Sequence, residues 1–543
     1  MTFPVNITNK EESQMKKTFV TLMALLLVLA LGSSALAVYD PAVSEPSAWD
    51  GEVTTITVTD RLPGIQLENN PILKELEKRI GVKLDISVLD AAQYNSLIAS
   101  QIAAGDIPDM FYLWDNSSNV NFQKWAKEGL IWNLEELADK IPNAFTWLNE
   151  NDLAYGRVPS LDNGLYGLPR MQQLTPDAIP YRGDWLKKLD MEVPVTADDL
   201  FEYCVAVSTQ DPDGNGVDDT WGIFVTQLGD KGGGLLDKNI REGFGIEPET
   251  IAYKVIPAQE GFMDLMDWYH DLYEAGGIYP EFYLDGDVYA DQAAFKTGKV
   301  GCFIKTASLD HTMQYRSNAT NEFYQNNPDG EVVAGYPLQP AGTTAADAEN
   351  YFHYITMSCW GVFCISKNAS EEAVDAACRF LNFGCTEEGV HLLNNGIEGI
   401  NYKSWDPVLR SKVGFTQEEK EEPGHEERLI NALSYLMVQQ SWPNYGKLTF
   451  GGNTPEEKAE YMKRYNELNH GFIVYDNIDT YPGYADLKTK NAELTTKLND
   501  EMMVQYIVGG ITREEFTDWL YNVYCPAWEE VEEIVAAVRG PKE

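Results

Sequence analysis

The chain has 543 residues, 44% of them hydrophobic, and 84 acidic against 41 basic residues leave a formal net charge of −43. A chain of that length buries a sizeable core and holds more than one lobe. Its charge repels phosphate backbones and anionic membrane surfaces, which excludes nucleic acid and lipid as partners. The same charge also serves solubility. The 13 Trp and 29 Tyr supply flat amphipathic rings, most for packing and a few to stack on a ligand.

The N-terminal stretch reads as a targeting signal. Met15-Lys16-Lys17 is basic, Phe19 to Leu31 is apolar, and Ala35-Leu36-Ala37 is a small-residue cleavage site that puts the mature N-terminus at Val38. The apolar run is short for a membrane span. Polar residues 1–14 precede Met15, which is the better start. The first cysteine is Cys204, so no lipid-accepting cysteine follows the cleavage point. The expected location is extracytoplasmic: secreted, periplasmic or associated with the cell surface. The seven cysteines (Cys204, Cys302, Cys359, Cys364, Cys378, Cys385, Cys525) are odd in number and match no zinc spacing. Several sit in apolar runs, so buried free thiols are expected, with a disulfide within Cys359–Cys385 as the alternative.

Val53 to Val58 alternates as a first strand. Asn70-Pro71 opens a helix that Gly81 closes, with Leu73, Leu76 and Ile80 on one face. Val82, Leu84, Ile86 and Val88 alternate as the next strand, Ala92–Ala104 is helical, and Met110–Leu113 is a short apolar strand. This β-α-β-α-β order implies a parallel sheet covered by helices, whose ligands bind beyond the carboxyl ends of the strands. Trp114-Asp115 follows the third strand and falls on that rim. Helices are expected over Phe122–Lys127 and Leu134–Lys140, and Gly164–Arg170 is an extended segment stiffened by Pro169. Tyr181, Arg182, Asp184 and Trp185 put two rings, a guanidinium and a carboxylate at a helix start. Thr196 caps the next helix, with Asp199 as its capping-box partner. The loop Asp211-Pro-Asp-Gly-Asn-Gly-Val-Asp-Asp219 then carries oxygen side chains at alternate positions, a spacing suited to a hard cation. A turn rich in Asp, Asn and Gly needs no metal, however. Further helices are expected over Gly261–Ala275, Glu371–Phe383, Glu426–Val438, Ala492–Tyr506 and Glu514–Val538.

The order Y-G-L-P-R (166–170), R-x-D-W-L-x-K-L (182–189), P-x-T-x-x-D (194–199) and D-P-D-G-N-G-x-x-D (211–219) resembles extracellular solute-binding protein family 1, the receptors of sugar-type ABC importers, and within it the oligosaccharide-binding branch with a calcium loop. Looser likeness runs from Gly51 to near the C-terminus. The resemblance implies an α/β, periplasmic-binding-protein-like class II fold: two α/β lobes joined by crossing strands, with a C-terminal helical cap. Residues 1–37 would be the leader, 50–168 plus 343–384 the first lobe, 169–342 plus 385–480 the second, and 481–543 the C-terminal helices. It implies crossings at Tyr166–Arg170 and Val332–Gly342, Lys305 facing the cleft, and Trp360–Asn368 returning to the first lobe. By analogy, Asp211, Asp213, Asn215 and Asp219 side chains and the Val217 carbonyl would hold Ca2+. The twelfth position of an EF-hand is Gly222 here, so the site is truncated.

A receptor of this kind surrounds a polar ligand and closes on it. Arg170 and Arg182 offer guanidinium forks. Asp115, Asp184 and Glu398 can accept from sugar hydroxyls, and Trp114, Trp185, Trp360, Trp442, Tyr402 and Tyr445 are candidate stacking platforms, with Tyr181 beside them. For any one ring the competing reading is core packing, and for Arg182 with Asp184 it is a local ion pair. The expected partners are an oligosaccharide and ABC permease subunits, and the expected state is a monomer. The rival is a secreted glycan-active enzyme, but the sequence has no G-x-S-x-G, H-E-x-x-H or P-loop, and its six histidines are scattered. A non-enzyme is therefore expected. A chemosensory or adhesive glycan-binding protein would share the fold.

Overall fold

The computed structural model describes residues 44–61, 66–90, 93–117, 119–171, 178–225, 234–284, 290–304, 322–355, 359–406, 411–430 and 471–542. Residues from Ser47 onward form one compact unit, which is the body described below; Met1–Pro46 fall in another. The signal stretch, Lys305, Trp442, Tyr445 and the end of the helix expected to Val438 lie outside the described residues.

The first strand, β1, is Thr54–Asp60, two residues longer at its carboxyl end than alternation alone suggests. The following helix, Pro71–Ile80, has the expected punctuation. The Asn70 side chain accepts from the Ile72 N–H, and Gly81 closes the helix at φ 63°, a left-handed turn that glycine adopts without steric cost. Strand β2 (Val82–Val88) pairs parallel with β1, from Thr54 opposite Val82 to Asp60 opposite Val88. After the helix Tyr94–Ala103, β3 (Met110–Leu113) lies parallel to β1 on its other side. All four β3 residues are buried, as an apolar run without alternation predicts for a central strand. The Leu134–Lys140 helix is only a short 3-10 turn, Leu134–Leu137.

Strand β4 (Leu168–Met171) belongs to this first sheet, and β5 (Ile179–Arg182) to a second. The chain thus crosses between Met171 and Ile179, just beyond the Pro169 segment. The second sheet adds β6 (Trp221–Phe224), β7 (Val300–Phe303) and β8 (Val332–Gly335), in the order β8-β5-β7-β6. The short strand β9 (His353–Ile355) follows, and β10 (Cys359–Ile365) completes the first sheet in the order β2-β1-β3-β10-β4. Strand β10 is antiparallel to both β3 and β4.

Each sheet has its own apolar packing. Phe111, Leu113, Phe122, Trp125 and Val362 pack together beside the first. Tyr181, Trp185, Tyr203, Phe262 and Tyr269 pack on the second, and the same core takes in Leu487, Met503, Phe516 and Val531 of the C-terminal helices. Thr196 and Asp199 form the expected capping box of the helix Ala197–Thr209. The helix Glu387–Asn395, expected in the second lobe, is tied instead to the first sheet's helices: the Glu388 carboxylate accepts from Arg79 at 3.1 Å. All seven cysteines are free thiols, five of them buried, so no disulfide forms among Cys359, Cys364, Cys378 and Cys385. The expected C-terminal helices are broken into Ala492–Lys497, Met503–Ile507, Arg513–Trp519 and Glu530–Arg539, with π-turns at Leu498–Met502 and Leu520–Tyr524.

Candidate functional site

The strand directions bring four chain segments to one edge of the first sheet. β1 ends there at Asp60, β3 leads there into Trp114, β4 reaches it at Arg170, and β10 starts from it at Trp360. The β10–β4 register shifts between Cys359 and Gly361, which leaves Trp360 as the extra residue of a bulge; bulges re-aim side chains in this way. Gly361 is required at that turn, because a Cβ there would lie 2.2 Å from the Leu113 carbonyl oxygen.

The side chains converge. The Trp114 and Trp360 rings are 6.4 Å apart and tilted by 33°. The Arg170 guanidinium lies 4.8 Å from the Trp360 ring centre and 5.7 Å from that of Trp114. Arg61, directly after β1, stacks its guanidinium on Trp114 at 3.5 Å. The Trp114 indole N–H donates to Asp60 Oδ1 at 2.9 Å, and the Arg61 backbone N–H donates to the same oxygen at 2.6 Å. Trp114, Trp360, Arg61 and Asp115 are half-buried, while Asp60 and Arg170 are 0% and 1% exposed. Burial pushes the Asp60 carboxyl up to about 7; the Trp114 hydrogen bond and the Arg170 and Arg61 charges pull the other way without cancelling it. Burial likewise raises the Tyr94 and Tyr112 hydroxyls beside it, and the Cys359 thiol to about 12. Asp115 accepts from the Asn116 backbone and from the Asn119 amide at 2.7 Å, so part of its capacity holds the loop.

Asp60 and Arg61 were not singled out from the sequence. The signal was available: the rule that ligands lie beyond strand carboxyl ends selects Trp114 after β3 and applies equally to the end of β1.

The group Tyr181, Arg182, Asp184 and Trp185 is a correction. Tyr181 and Trp185 are fully buried in the second core, so neither offers a face to a sugar. Arg182 Nε and Nη2 donate to the two Asp184 oxygens at 2.9 and 2.6 Å, its Nη1 donates to Asn327 at 2.9 Å, and its plane covers the Trp185 ring at 4.1 Å. That fork is committed to the fold. Tyr402 is corrected likewise: it is buried and hydrogen-bonded to His391 Nε2 at 2.7 Å, with Trp405 packed beside them. Glu398 is exposed.

The loop Asp211–Asp219 is curled through its own amides. Asp211 accepts from the Gly214, Asn215 and Gly216 N–H groups, with Gly214 and Gly216 at positive φ. Asp213 Oδ2 and Asp219 Oδ1 lie 2.8 and 2.9 Å from the Asn215 amide nitrogen, so one point is close to both carboxylates. Asp219 Oδ2 also takes Lys299 at 2.7 Å, which lowers its pKa. Burial raises the Asp213 carboxyl, and the Asp211 and Asp219 carboxyls add to the rise. Among the described residues no three His, Cys, Asp or Glu side chains are gathered tightly enough to hold a metal as they stand. The donors are all hard oxygens, nevertheless, and turning the Asn215 amide would place its oxygen between two of them, so the set fits calcium chemically.

A cavity of about 640 Å³ lies elsewhere, lined by Asn149, Asp152, Tyr155, Tyr475, Asn477 and Tyr481 among others. Its volume is that of a ligand site, and the sequence reading singled out none of these residues.

A family model for bacterial extracellular solute-binding proteins matches residues 72–395. Among curated proteins, Lipoprotein LipO of Bacillus subtilis is 28% identical over 391 residues, covering 70% of this chain and 74% of LipO. The polygalacturonan/rhamnogalacturonan-binding protein YtcQ of B. subtilis is 22% identical over 513 residues, 91% of this chain and 93% of YtcQ. The fructooligosaccharide ABC transporter substrate-binding protein FusA of Streptococcus pneumoniae is 32% identical over 217 residues, 37% of this chain and 40% of FusA. The structure of FusA in complex with kestose superposes with a TM-score of 0.62 at 18% identity, covering 88% of this chain and 98% of that one. The fold is therefore of the class II periplasmic solute-binding type.

Proposed function

The chain belongs to the bacterial extracellular solute-binding proteins, and on that footing we propose that it is the extracytoplasmic receptor of an ABC importer, capturing an oligosaccharide between two lobes that close on it. The observation that carries this reading is the gathering of Trp114, Trp360, Arg61, Arg170 and Asp60 at the carboxyl edge of the first sheet. Flat rings bury the apolar faces of a sugar, and fixed charged and polar groups beside them fix its orientation. The chain passes from the first sheet to the second between β4 and β5, and closure would move one sheet's body against the other's.

Relatives are named as ABC transporter and glycan-binding proteins, which supports a binder that releases its ligand unchanged over a glycan-cleaving enzyme. In this reading the loop Asp211–Asp219 holds a structural calcium through the Asp211, Asp213, Asn215 and Asp219 side chains and the Val217 carbonyl. The ion would offset the mutual repulsion of the carboxylates and pin the end of the helix Ala197–Thr209 to β6. The leader through Ala37 would direct export.

The test is a thermal-shift screen against neutral and acidic oligosaccharides, each with calcium and with a chelator. A ligand that binds only the folded protein raises its melting temperature by mass action. A glycan that raises it, and fails to do so in Trp360→Ala, supports the reading. A screen in which no glycan shifts the transition contradicts it.

A further inference from the structure

We propose that the edge formed by Asp60, Arg61, Trp114 and Arg170 selects a glycan bearing a carboxylate, that Arg61 is the residue that meets that carboxylate, and that binding strengthens as the solution becomes more acidic. The inference rests on the glycan-receptor reading above and names its substrate class.

The first ground is geometric. A bare indole face is a platform for a neutral sugar, but one face of Trp114 is covered by the Arg61 guanidinium at 3.5 Å. Arg61 is half-buried, and its Nε is buried with no hydrogen-bond partner among the described residues. A ligand arriving at that face meets a planar cation, and a carboxylate matches it with two parallel hydrogen bonds where a hydroxyl offers one. Behind it, Arg170 adds a second guanidinium, 1% exposed, against the Trp360 and Trp114 rings. In a chain whose net charge is −43, two guanidiniums here share a corner with the carboxyls of Asp60 and Asp115.

The second ground is Asp60. It is fully buried at the end of β1, and its Oδ2 accepts no hydrogen bond among the described residues. The groups that face it are Arg61 next in the chain, Tyr112 from β3 and Trp114 directly after it, Tyr94 from the helix Tyr94–Ala103, and Arg170 from β4; Cys359 lies beside Arg170, and Asp115 beside Cys359. Burial holds the tyrosines and Cys359 protonated. The Asp60 carboxyl, held up to about 7, therefore decides the local charge. As a carboxylate it offsets one guanidinium, and as an acid it leaves that cation for the ligand. A glycan carboxylate, titrating near pH ~4 like other carboxylates, stays ionised while this happens.

The experiment is calorimetric titration of the purified protein at about pH 5.5 and about pH 8, either side of the Asp60 transition. The probes are galacturonate, mannuronate and glucuronate oligosaccharides, each beside its methyl ester, which has the same skeleton without the charge. Expected are preference for an acid over its ester by about tenfold or more, and tighter binding of that acid at the lower pH by about tenfold, equivalent to about 1.4 kcal/mol. Arg61→Gln should abolish the preference for the acid. Asp60→Asn, which keeps an acceptor for Trp114, should abolish the pH dependence. Should Asp60→Asn fail to fold, the wild-type titrations decide alone. Esters or neutral oligosaccharides binding as well as acids, or acids binding equally at both pH values, would overturn the inference and leave the receptor reading intact. No glycan of either kind binding would overturn both.

Discussion

Arg182 and Asp184, two residues apart at the mouth of a helix, form a two-point ion pair at 2.9 and 2.6 Å, with their side chains only 5% and 15% exposed. Asp184 also accepts from the Glu331 backbone at 3.2 Å, and Arg182 reaches Asn327, so the pair fastens β5 to the segment before β8. Removing one partner strands the other charge in the interior. Asp184→Asn is expected to lower unfolding free energy by about 3 kcal/mol, read by urea denaturation, with glycan affinity per folded molecule unchanged. A loss of affinity without a loss of stability would return the pair to the binding site.

Two buried groups oppose each other in pH. Asp60 has a folded pKa near 7, above its unfolded value, so its contribution favours the fold at low pH and is lost as pH rises from about 4 through about 7. Burial, with smaller help from Arg79 and Lys412, pushes His391 down to about 3, so its contribution is full above its unfolded value near 6.5 and is lost as pH falls toward about 3. The windows overlap, and the slopes cancel in part. Between about pH 4.5 and pH 6, Asp60→Asn should make stability rise with pH more steeply than in the wild type, and His391→Gln should make it fall, each by about 1.4 kcal/mol per pH unit. Parallel stability curves for the wild type and both variants would show that neither group is buried as described.

Calcium should raise the melting temperature of the wild type, and a chelator should reverse the rise. Asp213→Ala takes away the carboxylate nearest the Asn215 amide and is expected to remove the calcium response while leaving the chelated protein folded. An equal response in wild type and variant would place any ion elsewhere.

The Thr196–Asp199 capping box closes the first turn of the helix Ala197–Thr209. Thr196→Ala should cost about 1 kcal/mol in chemical denaturation, and a neutral outcome would mean that core packing alone sets that helix start.

The parts legible in the sequence were those fixed by local chemistry. Asn70, Pro71 and Gly81 punctuate the first helix because their backbone and side-chain preferences act within one turn. The apolar run Met110–Leu113 reads as a strand, and Trp114 directly after it falls on the rim. Exposure was not legible. Tyr181, Arg182, Asp184 and Trp185 look alike in a string whether they point at a ligand or into a core, and only the position of β5 between β8 and β7 buries them. Asp60 was missed for the complementary reason: an acid at a strand end reads as a turn residue, and its burial comes from Tyr94, Trp114 and Arg170, which are distant in sequence. Tyr402 was lost to the site because His391, eleven residues earlier, claims its hydroxyl.

The most direct test of the central claim is calorimetric titration with an oligosaccharide panel, followed by chromatography of the ligand recovered from the complex. A one-to-one isotherm that is weakened in Trp114→Ala and Trp360→Ala, with the glycan recovered intact, is the expected result. Shortened glycan in the recovered fraction, or an isotherm indifferent to both tryptophans, would contradict it.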